Sequence, residues 1–494
     1  MAIHVRRPGT RNIDLGHESP AKGPEGKVTL PRGILFAPFA LLGVLFCSAK
    51  PEPLSRPNVV IFFADDAGYA DFSFQGSKTH LTPRIDSIAA NGIRFSNGYV
   101  SASVCSPSRA GLLTGRYQQR FGHESNLPGA KDKTVPDSLR GLPVNEITIA
   151  DLLKKEGYTT GIIGKWHLGM EPQFHPTRRG FDEFFGMLGG SSPYHPGKAK
   201  DIQCTYKEVD PIGLPYLTDA FGDEAADFVT RHKQNPFFLY LSFNAPHGPL
   251  HARPDYLAAA KTSFETESRA INAAMTRSLD ENVGKVLDTL KKESLLENTL
   301  ILFLNDNGGA MPSNASLNSP LRGTKGTCLE GGIRVPFSFQ WPAKLPKGKT
   351  ESRPVISLDL LPTIMSAVGG ILPTDRVFDG VNLIPFLTNG WAYQVMLPHE
   401  TLYWKLNWAA AIRKGDWKLV RTPDDQHWLF NLAKDPSENE NQFKSKPKIA
   451  EELLADLKTW EDQLMTPIWT TSPKWKKHSL QRYNQKTVNG FQKK

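Results

Sequence analysis

Apolar runs of strand length alternate along the first two thirds of the chain with segments whose apolar residues recur at helical spacing. The runs predict buried strands at 58–64, 158–164, 236–243 and 299–305. A long amphipathic pattern predicts a helix that has Ile271, Met275, Leu279, Val283, Val286, Leu287 and Leu290 on one face. This alternation is typical of an α/β fold: a large, mixed but mostly parallel sheet sandwiched by helices.

The pattern changes at about residue 386, where short strands and turns replace the long elements. Strands are predicted at 409–413, 417–421 and 428–432, followed by a helix at 449–464. We therefore expect the main domain at 50–385 and a smaller C-terminal α+β domain, with a short antiparallel sheet, at 386–473. Residues 474–494 hold seven basic residues and no acidic one, and we expect this tail to be poorly ordered.

The N-terminal region 1–49 has the features of an export signal. Arg32 precedes the apolar run 34–46, which is short for a membrane span and is followed by Cys47-Ser48-Ala49. This predicts a periplasmic, secreted or lumenal protein without a stable membrane span. In an oxidising compartment Cys204 and Cys328 could pair, but the sequence does not decide this.

The net charge of +9 over 494 residues comes from the two ends of the chain. Residues 1–49 and 474–494 together hold 13 basic and three acidic residues, so 46 basic and 47 acidic residues remain elsewhere. A nucleic-acid binder needs a basic face on the fold itself. The near-neutral body therefore excludes that class.

Polar residues follow each of the four predicted strands at its carboxyl end. They are Asp65-Asp66, Lys165-Trp166-His167, Asn244-Ala245-Pro246-His247 and Asp306-Asn307-Gly308-Gly309. Ligands of open α/β sheets bind at these ends, so we expect the loops to converge on one pocket. Each segment alone is also consistent with an ordinary turn, a helix cap or packing.

The chemistry of such a pocket suits an anionic ester. The oxygen atoms of Asp65, Asp66, Asp306 and Asn307 suit a hard cation, calcium or magnesium. The basic groups of Arg109, Lys165 and Lys325 would surround an anion, and His167 and His247 can transfer protons near neutral pH. Together these groups can stabilise negative charge that develops on a leaving oxygen.

The most informative segment is 103–116, Ser-Val-Cys-Ser-Pro-Ser-Arg-Ala-Gly-Leu-Leu-Thr-Gly-Arg. Pro107 and the following apolar pattern predict a helix that begins at or next to Cys105, with Arg109 one turn further on. Free N–H groups and the helix dipole attract anions there. Without the rest of the chain, Cys105 could also be a buried packing residue.

This segment resembles the signature of the sulfatase family, Cys-x-Pro-Ser-Arg followed by Leu-Thr-Gly-Arg. The resemblance extends from about Arg56 to at least Asn441 and includes Gly164–Gly169, Ala245–His247, Asn305–Gly308, Arg322–Lys325 and Glu330–Pro336. It implies an alkaline phosphatase-like fold, with 50–385 as the catalytic domain. It further implies that a formylglycine-generating enzyme oxidises Cys105 to formylglycine, whose hydrate is the nucleophile.

Family roles carry over to matching residues of this chain. The resemblance implies that calcium, rather than magnesium, is bound by Asp65, Asp66, Asp306, Asn307 and the modified Cys105. It implies that Lys165 and Lys325 hold the sulfate and that Arg109 steadies the formylglycine. His167 would accept the proton of the second hydroxyl, and His247 or Lys325 would protonate the leaving oxygen.

The favoured hypothesis is an exported sulfuric ester hydrolase that acts on a carbohydrate sulfate ester. A phosphodiester or phosphonate monoester hydrolase of the same superfamily is the alternative, and a non-catalytic protein that binds sulfated glycans is a remote one. Specificity residues are expected on rim loops, at Tyr117–Asn126, Gly129–Leu142, Ser191–His195 and His251.

Overall fold

The computed structural model describes residues 56–129, 132, 134–388, 393, 395–471 and 473–484. The predicted export segment lies outside these residues and stays a prediction. These described residues belong to one compact unit. Among the described helices, none combines the length and the apolar character that crossing a membrane requires.

The central feature is a nine-stranded sheet among the described residues, with the order β10-β2-β9-β8-β1-β7-β4-β5-β6. Its strands are β1 (Asn58–Ala64), β2 (Ile93–Phe95), β4 (Thr159–Lys165), β5 (Glu183–Met187), β6 (Ile202–Cys204), β7 (Phe237–Ser242), β8 (Thr299–Asn305), β9 (Phe337–Gln340) and β10 (Lys349–Glu351). A separate pair is formed by β3 (Gly98–Tyr99) and β11 (Val355–Ile356).

The middle of the sheet is parallel. Strands β8, β1, β7, β4 and β5 are neighbours that run in one direction, and β9 and β6 pair antiparallel on either side. The four strands that the sequence predicts are therefore adjacent, and their carboxyl ends lie at one edge. This confirms the predicted mixed, mostly parallel sheet.

Helices cover both faces of the sheet. They are α1 (Pro83–Ala90), α2 (Cys105–Thr114), α3 (Ile149–Lys155), α4 (Leu217–His232), α5 (Pro254–Lys261), α6 (Glu267–Lys292), α7 (Glu330–Ile333), α8 (Leu360–Val368) and α9 (Ile384–Thr388). Alternate residues of β1 belong to different cores: Val59 and Ile61 pack with α2, α3 and α8, whereas Val60 and Phe62 pack with α1, α4 and α6. Both faces are dry, which explains why the central strands are continuously apolar.

The C-terminal part contains the predicted antiparallel sheet, with four strands where the sequence predicts three. Its strands are β12 (Thr401–Leu406), β13 (Ala409–Lys414), β14 (Trp417–Arg421) and β15 (His427–Asn431), and α10 (Pro447–Glu461) packs on it. Its core also contains Tyr99, Leu329 and Ile356 from the preceding part of the chain. The division into two domains at residue 386 stays a prediction.

The start of the basic tail differs from the expectation of poor order. Residues Pro473–Asn484 form the helix α11. Tyr483 is fully buried, its hydroxyl accepts a hydrogen bond from the Cys328 amide (2.7 Å), and its carbonyl accepts one from Arg322 (3.0 Å). These contacts hold the helix on the main body, and residues 485–494 lie outside the described part.

Candidate active site

The loops after β1, β4, β7 and β8 meet at the carboxyl edge of the sheet. The Asp66 amide donates to Asp306 Oδ1 (3.2 Å), and the Asp65 amide donates to the carbonyl of Ala245 (3.1 Å). Lys165 at the end of β4 places its Nζ 2.5 Å from Asp65 Oδ2. The parallel order of these strands is therefore what assembles the predicted pocket.

Cys105 is the first residue of α2, as predicted, and it is fully buried. Its Sγ lies 3.6 Å from Asp65 Oδ1 and 3.0 Å from Lys325 Nζ. Val104, at the N-cap, has no capping side chain, but Asn126 Oδ1 accepts from the Ser106 amide (2.9 Å) and so satisfies one free donor of the helix. Burial raises the pKa of the Cys105 thiol to about 12, although Lys165 and Lys325 oppose the rise, so the unmodified thiol is a poor nucleophile.

Arg109 lies one turn along α2, with no exposed surface. Its Nη2 is 2.9 Å from Asp306 Oδ2 and 3.4 Å from Asp65 Oδ2. Its Nη1 donates to the Lys165 carbonyl (3.2 Å) and to Ser242 Oγ. This guanidinium therefore ties α2 to the ends of β1, β4, β7 and β8.

Three carboxylates and an amide supply the oxygen atoms of the predicted metal site. Asp65, Asp66 and Asp306 are almost fully buried, and Asn307 Oδ1 is buried without a hydrogen-bond partner among the described residues. Ligand atoms of Asp65, Asp66, Cys105 and His247 lie within 4.8 Å of one another. Burial raises the pKa of Asp306 to about 6, and Asp65 adds to this rise. Buried, crowded oxygen donors fit a hard divalent cation, so the residues present suit the metal that the sequence implies.

The backbone is strained at the same place. Asp66 and His167 have φ of 61° and 59°, values in the left-handed region that is uncommon for residues other than glycine. The Asp66 carbonyl accepts hydrogen bonds from Asn314 Nδ2 and Ser316 Oγ, both at 2.8 Å. Backbone strain that neighbouring groups hold in place is typical of functional sites.

The groups that could contact an anion lie at the open side of this cluster. The Lys325 side chain is 12% exposed, and its Nζ is 2.7 Å from Asp66 Oδ1. His247 is 23% exposed; its Nε2 is 3.5 Å from Asp66 Oδ2, and its Nδ1 contacts the Gly248 carbonyl at 2.6 Å. Burial lowers the pKa of His247 to about 4, and burial and Lys165 lower the pKa of His167 well below its usual value. These shifts favour the neutral imidazoles, and an anionic ester bound beside them would favour their protonated forms.

All ten residues that the sequence singled out lie in this one site, while several supporting residues were not predicted. Ser242 receives the Arg109 guanidinium, and Asn314 and Ser316 hold the Asp66 backbone. Asn305 Nδ2 donates to the Ala67 carbonyl (2.7 Å). Ser242 and Asn305 lie in predicted strands and Asn314 and Ser316 in a loop, but no local pattern assigns these contacts to them, so only the folded chain reveals the contacts.

Two of the predicted rim loops flank the site. Tyr194 donates its hydroxyl proton to the carbonyls of Asn244 and His247, and the His195 ring stacks on His251 with centroids 4.7 Å apart. From the other rim loop, Asn126 reaches the start of α2. Cys204 and Cys328 are both free, so the disulfide that the sequence left open is not formed.

The geometry defines a hydrolase site for an oxyanion ester, and comparison with known proteins gives the family. The sulfatase family profile matches residues 57–371. N-acetylgalactosamine-6-sulfatase of Mus musculus is 35% identical over 396 residues, which cover 76% of this chain and 73% of the relative. Arylsulfatase A of Bos taurus is 32% identical over 467 residues, covering 82% and 87%.

Solved structures give the same result. Ps i-CgsB in complex with k-i-k-neocarrahexaose is 35% identical with a TM-score of 0.78, and the match covers 87% of this chain and 99% of that one. The chain belongs to the sulfatase family. It is therefore an enzyme that hydrolyses sulfate esters, and its fold is the alkaline phosphatase-like fold that the sequence predicts.

Proposed function

We propose that the protein releases inorganic sulfate from a carbohydrate sulfate ester, with bound calcium and with formylglycine made from Cys105. The observation that carries the proposal is the position of Cys105 at the start of α2, between Lys325 Nζ and the Asp65 carboxylate. One similar protein is named N-acetylgalactosamine-6-sulfatase, and another was solved in complex with a neocarrahexaose; both support a carbohydrate substrate. Export through the N-terminal segment is part of the same proposal.

Each component has a defined place in this reaction. Calcium would be held by Asp65, Asp66, Asp306 and Asn307 together with the modified Cys105, and it would offset negative charge on the sulfate oxygens. Formylglycine would supply a geminal diol: attack of one hydroxyl on sulfur would release the sugar alcohol, and deprotonation of the other hydroxyl would break the C–O bond to sulfate and re-form the aldehyde. This would split one difficult hydrolysis into two easier steps.

The remaining groups bind the anion and move protons. Lys165 and Lys325 are the cations next to Asp65, Asp66 and Cys105, so they would hold the sulfate oxygens. His167 would accept the proton of the second hydroxyl. Protonation of the leaving sugar oxygen falls to His247 or Lys325, the partly exposed members of the site.

The test is the peptide mass across Cys105 in protein produced with an active formylglycine-generating enzyme. We expect the mass of the aldehyde at Cys105, sulfate release from sulfated sugars, and loss of that release in Cys105→Ala. Cys204→Ala, at a half-buried free cysteine, is the matched control and should keep full activity. An unmodified thiol, or faster turnover of an aryl phosphodiester than of an aryl sulfate, would contradict the proposal.

A further inference from the structure

A cavity of about 290 Å³ lies directly beside the start of α2. Two residues of its wall, Val104 and Gly326, are the chain neighbours of Cys105 and Lys325. The Gly326 amide donates to the Ser103 carbonyl (2.7 Å), which joins these two segments. Anything that occupies the cavity is therefore next to the groups that surround the reacting sulfate.

The outer wall of the cavity carries two indole rings. Trp408 comes from the turn between β12 and β13, and Trp475, which is 44% exposed, comes from α11. The Lys476 ammonium is 5.4 Å from the Trp408 ring centre, and the Arg482 guanidinium is 5.1 Å from the Trp475 ring centre. Indoles present a broad apolar face with a polar edge, a surface that suits the apolar face of a sugar ring.

The inner wall contains buried polar atoms that lack a partner. Ser125 is 1% exposed, and its Oγ has no hydrogen-bond partner among the described residues. Asn407 donates through Nδ2 to Thr471 Oγ1 (3.2 Å), whereas its Oδ1 is buried and also lacks such a partner. Both residues line the cavity, and rotation of either side chain would turn its unpartnered oxygen toward a ligand hydroxyl, which would remove the cost of a buried polar atom without a hydrogen bond.

The helix α11 connects the cavity to the catalytic lysine. Arg482 Nη1 donates to the Lys325 carbonyl (2.8 Å), and Ser479 Oγ donates to the Gly326 carbonyl (3.4 Å). The exposed face of this helix carries Lys476 and Lys477. Lys476 thus places positive charge beside Trp408, at the rim of a cavity that Asp132 also lines, so an anionic group of a ligand would bind on the α11 side of that rim.

We propose that this cavity, which we name the tryptophan cavity, binds the sugar residue next to the sulfated one in an anionic oligosaccharide. The inference rests on the proposed function and deepens it: the substrate is a chain with more than one charged sugar. The indoles of Trp408 and Trp475 stack on the neighbouring ring, and Ser125 and Asn407 hydrogen-bond to its hydroxyls. The basic face of α11 contacts a further anionic group of the chain.

The experiment compares sulfated hexasaccharides of galactan and glycosaminoglycan type with the sulfated monosaccharides derived from them. We expect the wild-type enzyme to have a higher kcat/KM for at least one hexasaccharide than for the sulfated monosaccharide derived from it. Trp475→Ala and Trp408→Ala should each reduce the ratio of these two kcat/KM values by about tenfold, the effect of losing ~1.4 kcal/mol of binding. Trp475→Phe keeps an aromatic face and should retain most of the preference.

Ile371→Ala removes a remote side chain that is 83% exposed and serves as the control; its ratio should equal that of the wild type. The inference is overturned if no hexasaccharide is preferred over its monosaccharide, or if the preference survives both alanine substitutions. Failure of the proposed function looks different, because the wild-type enzyme would then hydrolyse neither sulfated sugars nor 4-nitrophenyl sulfate.

Discussion

The active site and an ion network next to the four-stranded C-terminal sheet both bury charged side chains, but the two regions differ in how completely those charges are paired within the protein. In the network, Lys418 Nζ lies 2.8 Å from Glu330 Oε1 and 2.9 Å from Glu438 Oε1, and all three side chains are fully buried. Glu330 Oε2 also accepts from the Tyr99 hydroxyl (2.7 Å), and the Glu330 amide donates to Glu438 Oε2 (2.7 Å). Arg334, whose Nη1 is 3.4 Å from Glu330 Oε2, extends this network toward the surface, whereas Lys418, Glu330 and Glu438 have no exposed surface that could contact a ligand.

The active site also contains buried carboxylates and cations, but some of its polar groups remain available to a ligand. Asp65, Asp66 and Asp306 converge, the buried Asn307 Oδ1 lacks a partner, and Lys325 is partly exposed. The three carboxylates are matched by Arg109, Lys165 and Lys325, so a bound divalent cation would make the cluster net positive and attract an anionic ester. Buried charge is therefore not a sign of function by itself; charge left available to a ligand is.

Lys165 and Lys418 allow a direct test of this difference, since both are lysines with no exposed surface. We expect Lys165→Met to lower kcat/KM by about 10²–10³-fold, because a cation that stabilises the transition state is lost. We expect Lys418→Met to lower the free energy of unfolding by about 3–5 kcal/mol, because the buried Glu438 loses the cation that pairs with it and Glu330 is left with Arg334 at 3.4 Å. Urea unfolding and aryl sulfate turnover measure the two effects.

Lys458→Met is the control for both variants, since this lysine is 75% exposed and its ion pair with Asp462 lies at the surface. It should change neither quantity appreciably. The proposed difference between the two regions would be wrong if Lys418→Met proved as stable as the wild type, or if Lys165→Met kept its turnover.

Metal removal should act through the active site and should not depend on the Lys418 network. Chelation should abolish turnover and lower the unfolding free energy by about 2.7 kcal/mol relative to protein at a calcium concentration 100 times the dissociation constant. Added calcium should restore both. In Asp306→Asn the calcium-dependent part of the stability should shrink, whereas in Lys418→Met it should persist. A wild-type unfolding curve that is unaffected by chelator would contradict the metal site.

The sequence predicted the parts of this structure that depend on local pattern. The strands Asn58–Ala64 and Thr299–Asn305 have the predicted bounds, because continuously buried strands are continuously apolar. Strand Thr401–Leu406 was missed, because this edge strand buries only Leu402 and Trp404 and its pattern is weak. The helix Pro473–Asn484 was missed because its order depends on distant contacts that composition does not reveal.

The site was predictable for a related reason. Charged and titratable residues follow the parallel strands at their carboxyl ends, so the strand order alone brings Asp65, Lys165, His247 and Asp306 together. The hydrogen bonds that hold the Asp66 backbone next to them come from Asn314 and Ser316, which lie in loops without a recognisable pattern. The tryptophan cavity combines a turn of the small sheet with the C-terminal helix, so no local pattern could predict it.

A buried histidine beside α2 should make the free energy of unfolding depend on pH. His123 Nε2 lies 2.7 Å from Ser106 Oγ, and burial lowers the pKa of His123 to about 3. In the unfolded chain a histidine titrates near 6.5, so between these values the unfolded state binds more protons. The unfolding free energy should therefore fall by up to a few kcal/mol as pH drops from about 6.5 to 3, and stay constant with respect to this group above 6.5.

Urea unfolding at several pH values measures this dependence. His123→Gln should flatten the slope between pH 4 and 6, even if the variant is less stable throughout. An equally steep slope in the variant would assign the dependence to other groups.

The smallest expected effect concerns the cap of α2. Asn126→Ala removes the oxygen that accepts from the Ser106 amide (2.9 Å), and loss of such a cap costs about 1 kcal/mol. Asn126→Asp keeps an acceptor and adds negative charge near the helix N-terminus, so its stability should stay close to that of the wild type. Equal destabilisation by both substitutions would show that stability depends on the side-chain NH2 group of Asn126 and not on its Oδ1 acceptor. Because the helix begins at Cys105, the alanine variant should also lower aryl sulfate turnover, and the Lys418 variant should not, which separates support of the site from support of the fold.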